Sequence, residues 1–144
     1  MRGRRATVKR TDCRAGATAG AILGSMPATE HRPVVDWGAR ERRRRQLDAE
    51  LARIVAALPR LGVARAIVFG SVARGDVSGG SDLDLILVTA SRQRFIDRCT
   101  AFYRALAPAI GVDLLVYTPE ELAALRERPF LRRALAEGRV VYEA

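Results

Sequence analysis

The sequence predicts a single α/β sheet domain. Helical and strand-like apolar patterns alternate from Asp36 to the C-terminus. The length of 144 residues suits one core. Apolar residues make up 49% of the chain, enough to fill that core, and no apolar run approaches membrane-spanning length.

Each element has its own signal. Leu47, Leu51, Ile54, Val55 and Leu58 recur at helical spacing behind a charged start, Arg42 to Arg45, and Pro59 and Gly62 close that helix. The arginine run reads as its solvated face. Ala66-Ile67-Val68-Phe69, stopped by Gly70, is a short buried strand, and Leu83 to Val88 is a second one after a loop marked by Gly75, Gly79 and Gly80. Arg92 to Leu106 fits a helix with Phe95, Ile96, Cys99, Phe102, Tyr103 and Leu106 on its apolar side, ended by Pro108 and Gly111. Val112 to Tyr117 is a third strand. Thr118-Pro119-Glu120-Glu121 opens a further helix, with Thr118 as cap, Pro119 in the first helical position and Glu121 completing a capping box. A last helix, Pro129 to Glu137, stops at Gly138 before a terminal strand, Val140 to Tyr142.

Residues 1–35 differ. Arg2, Arg4, Arg5, Lys9, Arg10 and Arg14 precede a Gly/Ala/Thr stretch without periodic apolar positions. They read as a disordered tail, or as residues upstream of a true start at Met26. Arg4-Arg5 and Ala15–Gly24 have a faint likeness to an export signal, but Asp12 and Arg14 lie between them, the apolar run is short and no good cleavage site follows. The functional domain is therefore placed at 36–144.

The net charge of +9 comes almost wholly from arginine, Lys9 being the only lysine, which points to codon bias more than to selection for nucleic acid. Basic balance still favours anionic partners such as nucleotides; nucleic acid as the main ligand is not favoured. Cys13 and Cys99 have no metal-like spacing, and a cytoplasmic setting is expected. His31, the only histidine, excludes any mechanism that needs two.

Chemistry concentrates between Gly70 and Asp84. On a strand, Asp82 and Asp84 share one face while Leu83, Leu85 and Leu87 share the other. Two acids this close repel each other beside an apolar layer, and a divalent cation is the simplest compensation. Magnesium accepts a few carboxylates plus substrate phosphates, which an Asp-x-Asp strand end offers. In the third strand Asp113 interrupts an apolar run. If that strand lies beside the second, three carboxylates converge, a set suited to two metal ions and in-line nucleotidyl transfer. Gly70-Ser71 serves the opposite need: a tight turn whose backbone N–H groups and hydroxyl meet phosphate. Arg74, one turn on, is placed to contact phosphates or brace the acids, and a surface pairing with Asp76 is nearly as good a reading. Gly79-Gly80 lets the loop fold back toward Ser71. Singly, each piece has a plainer reading as a turn, a cap or a surface acid; their joint order on the right elements is what carries weight.

Gly70-Ser71, ten residues, then Asp82-x-Asp84 resembles the signature of the DNA polymerase beta-like nucleotidyltransferase superfamily. The fuller Gly70-Ser71-Val72-Ala73-Arg74-Gly75, with Ser81-Asp82-Leu83-Asp84-Leu85, is similar to its minimal bacterial branch, the MNT proteins, as is the ending Phe130 to Tyr142. The resemblance covers about Leu47 to Tyr142. It implies an α+β domain with a mixed sheet and flanking helices, two Mg²⁺ ions and ATP or another NTP as donor. It makes Asp82, Asp84 and Asp113 metal-binding and catalytic, and Gly70, Ser71, Arg74 and Ser81 nucleotide-binding. It further implies AMP transfer to a tyrosine of a HEPN-type protein partner, as the antitoxin of a toxin-antitoxin pair. Apart from the resemblance, the exposed arginines, including Arg42 to Arg45, are expected to steer an acidic partner toward the cleft.

Three alternatives stay open. One is a non-catalytic antitoxin that occludes its partner. Another is nucleotide addition to RNA, for which no aromatic stacking platform is evident. The third is modification of a small molecule, which ordinarily needs a second domain. Intact, mutually repelling acids weigh against the first.

Overall fold

The computed structural model describes residues 36–144; both readings of 1–35, the disordered tail and the start at Met26, lie outside the described residues. Asp36 caps the first helix, its side chain accepting from Ala39 N at 3.1 Å. The elements that follow are α1 (Trp37–Ala57), β1 (Arg65–Phe69), α2 (Gly70–Arg74), β2 (Leu83–Val88), α3 (Phe95–Leu106), β3 (Val112–Tyr117), α4 (Pro119–Leu125), α5 (Pro129–Glu137) and β4 (Arg139–Glu143). A short 3₁₀ turn, Leu58–Leu61, ends α1, and Gly62 closes it with φ 67°.

The four strands form one mixed sheet in the order β3-β2-β1-β4. β1 runs antiparallel to both β2 and β4, whereas β2 and β3 are parallel and joined across α3. Alternation then sorts the side chains. Ala66, Val68, Leu83, Leu85, Leu87, Val112 and Val116 face the first layer of helices, packing with Leu47, Leu51, Ile54 and Leu106. Ile67, Phe69, Ile86, Val88 and Tyr117 face the second, with Leu131 and Ala134 of α5. Leu83, Leu85 and Leu87 are wholly buried, and each contributes about 2 kcal/mol through the surface it removes from water. No helix among the described residues is long and apolar enough to cross a membrane.

The capping box at Thr118 and Glu121 forms as expected. Two details of α3 differ from the sequence reading. The helix begins at Phe95, because Ser91 Oγ accepts from Gln93 N and Arg94 stays extended. Ile96 and Tyr103 are exposed, while Arg98 is buried, donating to Val116 O and Gln93 O at 2.9 Å and pairing with Glu121. A guanidinium with five donors can be buried only when they are met by acceptors, and the backbone supplies two of them here.

Candidate active site

The turn after β1 is built around Gly70. Phe69 is still extended, Gly70 takes φ 67°, and α2 follows for one turn before Gly75 closes it at φ 78°. The left-handed conformation favours glycine at position 70, and so does the space. A Cβ there would lie 2.1 Å from Asp84 Oδ2, so the turn and the acid are in direct apposition. Ser71, half-buried, follows at the start of α2.

Strand order supplies the rest. Asp84 lies opposite Phe69 on one side and opposite Asp113 on the other, so the two acids occupy facing positions of neighbouring strands. Asp84 is half-buried, and its carboxyl is held above the ordinary carboxylate range. Burial is the main cause, reinforced by the charges of Asp113 and Asp82 and a hydrogen bond with Asp113, and opposed by Arg74. Asp82 and Asp113 are exposed. Asp82 is turned to Arg43, whose Nη2 lies 3.2 Å from its Oδ1. A Cβ on Gly111 would come within 2.3 Å of that same oxygen.

Among the described residues no three His, Cys, Asp or Glu side chains are drawn together around one point as a ready metal cage. The donor set nonetheless fits a hard divalent cation in kind: carboxylate oxygens only, on adjoining strand ends, with excess negative charge around Asp84.

Arg74 Nε donates to Asp76 at 3.2 Å, and its Nη1 to both oxygens of Glu137 at 3.2 and 3.1 Å, tying α2 to α5. Ser81 Oγ accepts from Ser78 N at 2.8 Å and closes the loop before β2. Sequence reasoning missed Arg43, hidden in a run of arginines, and Gly111, read only as a helix stop. The signal for Arg43 was present. It lies four residues before buried Leu47, and Arg40 lies seven before it, so both are on the inward side of α1. A cavity of about 430 Å³ lies elsewhere. It opens at the far end of β1 and β2, beside Arg65, Val88, Leu122 and Gly138.

A mixed sheet that sets a Gly-Ser turn against acids on two adjacent strands defines a nucleotidyltransferase-type domain. The chain belongs to the nucleotidyltransferase domain family, whose model matches residues 49–142, from partway along α1 to β4. It is an enzyme of that class. It is 33% identical over 81 residues to a Methanocaldococcus jannaschii protein named a putative protein adenylyltransferase, covering 56% of this chain and 79% of the relative. Two solved structures are similar to it. One is described as a putative nucleotidyltransferase from Sulfolobus solfataricus (TM-score 0.47, 17% identity, 74% of this chain and 85% of that one). The other is described as a toxin-antitoxin with AMP-PNP (TM-score 0.44, 19% identity, 65% of this chain and 73% of that one).

Proposed function

We propose that this domain transfers AMP from ATP to a hydroxyl in a Mg²⁺-dependent reaction, and that the acceptor is a tyrosine of a HEPN-type protein partner, with the chain as its antitoxin. The observation that carries the reading is the facing pair Asp84 and Asp113 set against the Gly70 turn. An acid that faces a second acid, half-buried and charge-frustrated, is a poor structural element and a good cation ligand.

Asp82, Asp84 and Asp113 would hold two Mg²⁺ ions, which supply Lewis-acid stabilisation of the attacking and leaving oxygens. Gly70 and Ser71 receive the triphosphate on backbone N–H groups and a hydroxyl. Ser81 supports the same side by closing the loop that ends at Asp82. Arg74 offers a cation one turn beyond Ser71 and steadies α2 through Glu137. Asp113, an exposed acid facing Asp84, assists removal of the proton from the acceptor hydroxyl as that oxygen attacks the α-phosphorus and pyrophosphate leaves. The protein acceptor is supported by the name of the Methanocaldococcus jannaschii relative.

The test is to incubate the chain with ATP, Mg²⁺ and the HEPN-type partner and to weigh the partner intact. Addition of one or more AMP groups, absent with Asp82→Asn, is the expected result. A tight complex without mass change overturns the catalytic reading in favour of occlusion. Transfer to added RNA, with the partner unmodified, replaces the protein acceptor by nucleic acid.

A further inference from the structure

The N-terminal half of α1 reaches the loop that carries Asp82. Arg40 Nε donates to Val77 O at 3.0 Å, and Arg43 Nε to Ser81 O at 2.7 Å. Two arginines three residues apart on one helix face therefore peg both ends of the 77–81 loop. This loop contains Gly79 and Gly80 and has no strand or helix of its own. Arg43 also reaches Asp82 Oδ1, and its side chain is 18% exposed, against 69% for Arg42 and 76% for Arg45. A partly exposed ion pair adds little stability by itself. A planar guanidinium already fixed by a shorter bond through Nε, however, imposes a direction on the carboxylate that a mobile lysine would not. Gly111, having no side chain, leaves that carboxylate its space.

We propose that Arg43 is a positioning residue for Asp82, fixing the loop through Ser81 and the orientation of the carboxylate through its Oδ1 so that Asp82 can serve a divalent cation together with Asp84 and Asp113. Arg43 lies ahead of residue 49, where the family match begins, so this support comes from a segment outside the matched domain. The inference rests on the reading of the three acids as a cation site.

The experiment reads metal affinity and not turnover: free Mn²⁺ is followed by electron paramagnetic resonance as the full chain is titrated without nucleotide. Wild type is expected to bind, and Asp84→Asn to lose binding. Arg43→Ala should weaken Mn²⁺ affinity by about tenfold, the scale on which residues orienting metal ligands act. Arg43→Lys, which retains charge but not the fork, should restore only part. The exposed Arg45→Ala should match wild type. In an Asp82→Asn background Arg43→Ala should have no further effect, since it acts through that carboxylate. Thermal melts establish that each variant is folded, and Arg43→Lys with Arg43→Gln carries the test if the alanine variant is not. Wild-type affinity or better in Arg43→Ala, or an equal loss in the Asp82→Asn background, overturns the positioning role while leaving the cation site standing. No Mn²⁺ binding by the wild-type chain removes the cation site and the inference with it.

Discussion

Gly70 and Asp84 compete for one space: a Cβ built on the glycine lies 2.1 Å from Asp84 Oδ2 and 3.1 Å from its Cγ. The acid can approach the turn only because position 70 has no side chain. Gly70→Ala therefore combines two costs, backbone strain at φ 67° and displacement of Asp84. We expect a stability loss of about 2 kcal/mol by urea denaturation, mostly from the strained conformation, and nucleotidyl transfer reduced below a tenth. Gly75→Ala separates the two effects, because Gly75 shares the left-handed backbone at φ 78° and has open space around it. It should lose similar stability and retain its activity. Equal activity in the two variants would show that the closeness of Gly70 and Asp84 has no catalytic meaning.

Asp84→Asn is expected to abolish Mg²⁺-dependent transfer, and Asp82→Asn and Asp113→Asn to do the same. Asp84→Asn should also melt at a higher temperature than wild type in EDTA at pH 7. The sign follows from the raised carboxyl. A group whose folded value lies above its unfolded one contributes stability that is full below the unfolded value and lost as pH rises through the folded one. The charged acid is thus a liability at neutral pH that the amide lacks. The advantage of the variant should shrink as pH falls toward the ordinary aspartate value of 3.8. Melting curves across that range check it, and an advantage that grows toward acid would contradict the assignment.

Much of this site was legible because its signals are local. Alternation alone puts Asp82 and Asp84 on one face with the leucines opposite, and a glycine before serine at the end of an apolar strand marks the turn. Strands two and three were read with the bounds the structure gives. What could not be read from one sequence was adjacency. Nothing local says that β3 lies parallel to β2 and places Asp113 opposite Asp84, a pairing that depends on the crossover through α3. Arg43 and Gly111 were missed for the same reason, since their contacts are with Ser81 and Asp82, which lie far from them along the chain. Arg98 was missed because periodicity counts a charged residue as outward. Its acceptor at Val116 comes within reach only once α3 docks on β3.

Arg98 accordingly supplies a prediction about stability. Its side chain is 1% exposed and joins β3, the start of α3 and the Glu121 capping box of α4. Arg98→Ala leaves a void, an unmet carbonyl at Val116 and a half-buried carboxylate without its partner. We expect a loss of about 3 kcal/mol in urea denaturation. A loss under about 1 kcal/mol would mean that water or a neighbouring side chain replaces the guanidinium at little cost.

Gly111→Ala tests the space that Asp82 occupies. Backbone strain is not at issue, since Gly111 is not among the glycines with positive φ. The added methyl would meet Asp82 first, Oδ1 at 2.3 Å, Cγ at 2.8 Å and Oδ2 at 3.3 Å. A carboxylate on an exposed side chain can rotate away, so the fold should lose less than about 1 kcal/mol. Asp82 cannot rotate away, however, and also keep the direction that Arg43 and Gly111 give it. Transfer activity should therefore fall by about tenfold or more, as for a displaced metal ligand, with a nearly unchanged denaturation midpoint. Activity should recover in part at high Mg²⁺, where binding to a misaligned ligand set is driven by concentration. Full activity at low Mg²⁺ in Gly111→Ala would show that the orientation of Asp82 against β3 is not what the enzyme uses.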